Sequence, residues 1–223
     1  MLGFYNILEL SRKYKIKHLI FASSSSVYGN NKKYPWNENM ITDNPLSFYA
    51  STKKSNELMA YSYHNIYKLR CTGLRFFTVY GEWGRPDMAV FKFTKSILEK
   101  KTINLYNYGK NIRDFTYIED VVNSVLILLK KPLNNNKNSF AIYNIGNGKP
   151  LKVIKIIKLL EKNLKIKAKI KYVEAISGDA IKTYADTNKL ILNTKVKFKK
   201  NTDKCIKNFV NWYKQYYKIN KLN

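Results

Sequence analysis

In the segment FYASTKKSNE, residues 48 to 57, Tyr49 precedes Lys53 by four residues. On a helix that spacing places both side chains on one face, where they can act on one small volume. A phenol has an ordinary pKa of about 10, and a neighbouring ammonium favours the phenolate, so such a pair can serve as a base near neutral pH. The spacing alone is a weak signal in a chain with 18 tyrosines and many lysines, and two ordinary residues on a helix would look the same. Upstream, HLIFASSSSVYG (18 to 29) places four hydroxyls, Ser23 to Ser26, at the end of an apolar run. The carboxyl end of a buried strand is where α/β sheets place ligand chemistry.

The elements that must position these residues alternate along the chain. HLIFAS (18 to 23) reads as a buried parallel strand. The helix carrying Tyr49 follows, with Ser47 as its N-cap and Leu58, Met59, Tyr61 and Tyr63 as its apolar residues. CTGLRFF (71 to 77) reads as the next strand, followed by the Gly- and Pro-marked loop TVYGEWGRPD. Helices are expected near 87 to 100 and 118 to 131, with a strand near 102 to 106 between them. PLNNNKN (132 to 138) reads as a polar surface loop, FAIYNIG as a buried strand, LKVIKIIKLLEKNL as an amphipathic helix, and TDKCIKNFVNWYKQYY as a last helix with aromatic anchors. Strand-helix alternation of this kind predicts an α/β fold with a mostly parallel sheet.

Composition narrows the function classes. A chain of 223 residues, 45% hydrophobic, can bury a real core. It has no apolar run long enough to span a bilayer and no secretory leader pattern, so a soluble, cytoplasmic protein is expected. Cys71 and Cys205 are far apart and lack ligand-spaced partners, which reads as two reduced structural thiols; His18 and His64 likewise suggest no metal. The net charge of +26 comes overwhelmingly from lysines spread from end to end, with arginine only at 12, 70, 75, 85 and 113. The Lys, Asn, Ile and Tyr bias is that of AT-rich codons. A solvated basic surface is expected rather than a specific nucleic-acid site, although the field favours anionic ligands.

In order, the segments FASSSSVYG, YASTK, GLRFFTVYGEWGRPDM and YNYGKNIRDFTYIEDV resemble the extended short-chain dehydrogenase/reductase superfamily. Within it they are most similar to the NAD-dependent UDP-glucuronate 4-epimerases, over residues 1 to about 217. The resemblance implies a catalytic set of Ser24, with Ser25 and Ser26 beside it, Tyr49 and Lys53. It implies NAD as cofactor, held in part by Ser23, Tyr49 and Lys53. The chemistry implied is oxidation at carbon 4 of a UDP-sugar to a transient 4-keto form, which is then reduced on its other face. Thr78 and Arg85 match the contacts to the uronate carboxylate, which must be held against decarboxylation; a planar guanidinium fork suits that task. Arg113 matches the diphosphate contact, Tyr106 and Asn107 fall where the uracil is held, and Asp179 falls where the nucleotide is commonly touched. Relatives dimerise through the helix carrying Tyr49 and a neighbour, so a homodimer is implied.

The chain departs from the family pattern at its start, where a strand, a glycine-rich turn and a helix are expected and MLGFYNILELSRKYK stands instead. About a hundred residues, the span of a mononucleotide-binding unit, are absent by this comparison. The pyrophosphate cradle for NAD belongs to that unit, so the chain is expected to be inactive without the N-terminal half. A separately encoded partner is one source of that half, and the missing strands would leave apolar edges exposed. The turn IGNGK (145 to 149) lacks the third glycine of a dinucleotide fingerprint. The expected fold is therefore α/β, a partial Rossmann-like doubly wound parallel sheet with a small C-terminal α/β substrate-binding part. Residues 1–80 form the end of the NAD-binding domain, to which part of 110–150 returns, and 81–223 form mainly the sugar-nucleotide region. UDP-glucose 4-epimerase and UDP-glucuronate decarboxylase are near alternatives, and a non-catalytic module binding anionic ligands is one of another class. A 4,6-dehydratase is disfavoured, because Ser25 and Ser26 stand where those enzymes carry an Asp-Glu pair.

Overall fold

The structure, a computed structural model, describes residues 1–130, 140–176, 178, 180–198 and 201–219. The polar loop expected at 132–138 and the candidate nucleotide contact Asp179 lie outside the described residues. Helix α1 (Leu2–Lys13) leads into strand β1 (Leu19–Ser24) and a 3-10 turn, Ser25–Tyr28. Helix α2 (Phe48–Tyr67) begins as its sequence predicts: Ser47 is extended, and its hydroxyl accepts the Ala50 amide at 3.1 Å, pairing one of the N–H groups that a helix start leaves open. Lys68 closes it in the left-handed conformation. Strands β2 (Cys71–Phe76) and β3 (Thr78–Tyr80), helix α3 (Ala89–Leu98) and strands β4 (Thr102–Leu105), β5 (Ile112–Arg113) and β6 (Phe115–Tyr117) follow. The chain continues with α4 (Ile118–Lys130), β7 (Phe140–Ile145), β8 (Leu151–Lys152), α5 (Val153–Leu164), β9 (Lys169–Tyr172), α6 (Asn188–Thr194) and α7 (Thr202–Tyr216).

The central sheet has the order β1-β2-β7, and both pairings are parallel. β2 lies between the other two strands and is buried along nearly its whole length, which accounts for its uninterrupted apolar run. At Gly73 the neighbours leave no room for a side chain: a Cβ there would lie 2.5 Å from Ile142 and 2.8 Å from Phe21, on the two flanking strands. Leu8 of α1 and Ala60 of α2 pack with Phe21 and Cys71 in one core cluster. Val121 and Leu128 of α4 and Leu190 of α6 pack with Leu74, Tyr143 and Ile145 in a second one. Helices before and between β1 and β2, and others after β6, thus cover the sheet in separate clusters, and the α/β class read from the sequence holds.

The remaining strands form three small pairs: β3 with β6 and β4 with β9 in parallel, and β5 with β8 antiparallel. Around them α3, α5 and α7 enclose the largest cluster, including Phe91, Ile103, Phe115, Ile157, Leu160 and Phe209. The polypeptide crosses between the units more than once, since α4, β7 and α6 pack with the central sheet.

The packing of α2 meets the sequence expectation in part, since Met59 and Tyr63 pack against the core cluster that holds Phe21 and Cys71. Leu58 and Tyr61 are exposed, and the buried residues are Ala50, Glu57 and Ala60. Alanines let this helix lie close to the sheet, and the one long side chain they flank is a carboxylate. Among the described residues β1 pairs on one side only, with β2, while Leu2, Tyr5, Ile7 and Leu10 of α1 are exposed. No helix among the described residues is long and apolar enough to cross a membrane. Cys71 and Cys205 are buried, and burial pushes the pKa of the Cys71 thiol up to about 12.

Candidate active site

The parallel sheet delivers Ser24 at the carboxyl end of β1, and the 3-10 turn that follows folds Ser25 and Ser26 beside it. The Ser24 hydroxyl accepts from the Ser26 amide at 3.2 Å and from the Ser26 hydroxyl at 2.9 Å. Gly29 ends this turn at φ +59°, where a side chain would collide with the Asn44 carbonyl at 2.1 Å, so the turn and the segment before α2 lie backbone to backbone. Ser24, Ser25 and Ser26 line a cavity of about 200 Å³ with Trp36, Ser47, Thr78, Arg113 and Gly178.

A larger cavity, of about 410 Å³, is lined by residues of α3, β4, β5 and β6 with their flanking segments, among them Lys92, Tyr106 and Asn111. Thr78 and Arg113 line both, so the two spaces meet at those side chains. Together they have the size of a site for an extended small molecule. Cationic Arg113 stands at the junction and Lys92 lines the larger space, which suits an anionic ligand. Arg113 also donates to the carbonyls of Ile112 and Ile181 at 3.0 and 3.1 Å, contacts that fix its fork.

Next to it, fully buried Asp114 holds three segments together. Its carboxylate accepts the amides of Asn147, Gly148 and Ala185 at 2.8 to 3.0 Å, and its own amide donates to Thr183. Burial pushes its pKa up, and those amides work against the shift. The glycine turn after β7 is thereby committed to structure, since its amides serve Asp114.

Tyr49 lies on the first turn of α2, and the N-cap of that helix, Ser47, lines the smaller cavity. Tyr49 is half-exposed, and the Lys53 ammonium stands 5.7 Å from its ring centre. Lys53 donates to the carbonyl of Ala22, two residues before Ser24, at 3.1 Å. Tyr49 and Lys53 therefore stand together beside the strand end that carries Ser24. Ser23 is turned away: it is buried and its hydroxyl donates to Glu57 at 2.6 Å.

Of the residues singled out for substrate contact, Ser25, Ser26, Thr78, Tyr106 and Arg113 line the joined cavities. Asn107 stands behind the wall and donates to the Asn111 side chain at 2.8 Å. Arg85 is exposed and pairs with Asp87 through both arms of its fork, at 3.0 and 2.5 Å; Asp87 lines the larger cavity. That partner raises the Arg85 pKa and lowers that of Asp87, and Tyr49 is near enough to add to the former.

Sequence reasoning passed over Glu57, Arg75, Asp114, Asn111 and Lys92. Of these, Glu57 alone had a signal in the sequence, because it continues the four-residue spacing of Tyr49 and Lys53 on one helix face. As for NAD, Tyr49 and Lys53 supply hydrogen-bonding groups that fit the ribose and nicotinamide end, at the carboxyl edge of a parallel sheet.

Residues 1–146 match the model of the NAD dependent epimerase/dehydratase family. Protein CapI of Staphylococcus aureus is 46% identical over 98% of this chain and 69% of its own length. UDP-glucuronate 4-epimerase 4 of Arabidopsis thaliana is 42% identical over 96% of this chain, which spans 52% of that protein. The crystal structure of the UDP-glucuronic acid 4-epimerase of Bacillus cereus with UDP-glucuronic acid and NAD aligns with a TM-score of 0.89 at 29% identity, covering 97% of this chain and 67% of that one. With this match over most of its length, the chain belongs to the NAD dependent epimerase/dehydratase family.

Proposed function

We propose that the chain acts on UDP-sugars as a 4-epimerase, interconverting UDP-glucuronate and UDP-galacturonate. One observation carries this reading: the serine-lined space at the end of β1 meets a nucleotide-sized space at Thr78 and Arg113, with the Tyr49 helix opening onto the first of them. A UDP-sugar laid across the junction has its diphosphate at Arg113, its base beside Tyr106 and its sugar at Ser24 to Ser26.

Tyr49 then takes the proton of the sugar 4-hydroxyl, and the Ser24 hydroxyl bonds the same oxygen and holds it in place. The Lys53 ammonium favours the phenolate by its charge and offers a donor to the ribose of the cofactor. NAD, when bound, supplies the acceptor and later the donor of hydride at carbon 4. After the keto sugar turns, Tyr49 returns the proton, so no residue is consumed. Arg85 can take the uronate carboxylate in its fork once Asp87 is displaced, which keeps the carboxylate in a geometry unfavourable to loss of carbon dioxide.

The same Arg85–Asp87 pair favours a second reading, 4-epimerisation of a neutral UDP-sugar, because the fork already has a carboxylate partner. Incubating the chain, with the N-terminal half of a relative supplied, with NAD and either UDP-glucuronate or UDP-glucose, with proton NMR of the sugar region, distinguishes the two. UDP-galacturonate formed from the uronate is the expected product; conversion of UDP-glucose alone supports the second reading, and conversion of neither contradicts both.

A further inference from the structure

The Glu57 carboxylate is 5% exposed and makes three hydrogen bonds: from the Ser23 hydroxyl at 2.6 Å and from Arg75 Nε at 2.9 Å, both to Oε1, and from Arg75 Nη2 at 2.8 Å to Oε2. Ser23 and Arg75 are paired opposite one another in the β1–β2 register. One side chain of α2 thus grips two strands at the same level. Arg75 lies on the ring of Tyr28 at 4.9 Å and donates to the Glu38 carbonyl at 3.4 Å, and the Tyr28 hydroxyl donates to Asn144 on β7 at 2.7 Å. The grip therefore extends to the 3-10 turn that carries Ser25 and Ser26.

Tyr49, Lys53 and Glu57 follow one another at intervals of four residues, each rotated about 40° from the last around the helix. Lys53 is anchored to the Ala22 carbonyl and Glu57 to the Ser23 hydroxyl, adjacent residues immediately before Ser24. Near them the contact face holds Ala50 and Ala60, whose small side chains do little to stop a helix sliding or turning, and the larger Met59 and Tyr63 pack only toward the far end of the helix. A slip of one residue moves the helix about 1.5 Å and turns it about 100°, enough to carry a side chain off its target. A buried ion pair is weak support for stability, since apolar residues of similar size often do as well, whereas buried polar groups can select one register.

We propose that Glu57, with Arg75, is the positioning residue that fixes the register of α2 against β1 and so sets Tyr49 and Lys53 beside Ser24. This rests on the reading above that those three side chains do the chemistry. Glu57 touches no substrate; it acts through the helix.

The test replaces Glu57→Met and Arg75→Met together in the full chain, which leaves no buried unpaired charge. Thermal melting, kcat and KM for UDP-glucuronate with NAD, and the rate at which an amine-reactive reagent labels Lys53, read by mass spectrometry against Lys162, are measured side by side. The expected result is a melting temperature no lower than that of the parent, kcat down about a hundredfold with KM little changed, and faster labelling of Lys53 but not of Lys162. Unchanged kcat and unchanged Lys53 labelling would overturn the proposal and leave the pair a packing feature. Should the double variant not fold, Glu57→Asp, which keeps the charge and shortens the reach, is judged by the same readouts. If the parent chain, supplied with the N-terminal half of a relative, converts no UDP-sugar, the functional reading fails, and Lys53 labelling alone decides whether Glu57 sets the helix.

Discussion

Two arginine–carboxylate pairs of the same fork geometry stand in this molecule in opposite surroundings. Arg75 and Glu57 are buried, with side chains 4% and 6% exposed, whereas Arg85 and Asp87 are 72% and 63% exposed. In the buried pair, desolvation alone would lower the Arg75 pKa, and the hydrogen bonds it donates to Glu57, with the charge of that carboxylate, more than reverse this, so the guanidinium stays charged. In the exposed pair water screens both partners, and either can exchange for another ion. The same chemistry is therefore structural in one place and available in the other. The buried fork is committed to Glu57, and the exposed fork holds Asp87 in water, where another carboxylate can compete for it.

The largest effect that sharpens this contrast is on folding. Glu57→Ala leaves the Arg75 charge buried and unpaired and is expected to cost about 3–5 kcal/mol in denaturant unfolding; a loss no greater than that of a surface substitution would break the contrast. The next is on ligand affinity. Arg85→Ala is expected to weaken UDP-glucuronate binding about tenfold or more by titration calorimetry and to leave UDP-glucose binding unchanged. Smaller still, Asp87→Asn removes the resident carboxylate, so UDP-glucuronate binds more tightly while the unfolding midpoint at neutral pH falls only slightly; unchanged affinity would mean that Asp87 and the ligand do not compete. The smallest effect is in pH. Arg85 lowers the Asp87 pKa, so the contribution of the pair is present above the ordinary carboxylate range and lost as pH falls through that lowered value. Melting curves of the parent and Asp87→Asn are expected to converge on acidification, not on raising the pH.

The sequence made the long elements legible, because each has its own periodicity or run: the Ser47 cap, the apolar β2 and the amphipathic α5 were placed within two residues of their observed ends. The two-to-four-residue strands β3, β5, β6, β8 and β9 were not, since such short pieces exist only by pairing with distant partners. Helix α6 was missed for a similar reason: seven residues carry too little pattern. In the candidate site, Ser24, Tyr49, Lys53, Thr78 and Arg113 were singled out by the company of their motifs. Glu57 and Arg75 were not, because a charged residue in a sequence reads as surface until a partner buries with it. Leu58 and Tyr61 were read as packing residues, and the sheet instead took the alanine side of the helix.

The measurement that tests the functional reading most directly is a crystal structure of the chain with UDP-glucuronate. The diphosphate is predicted at Arg113, the base beside Tyr106 in the larger cavity, and the sugar 4-hydroxyl within hydrogen-bond reach of Ser24 and Tyr49, with its carboxylate replacing Asp87 at Arg85. A nucleotide bound elsewhere, or bound here with its sugar turned away from β1, would contradict it.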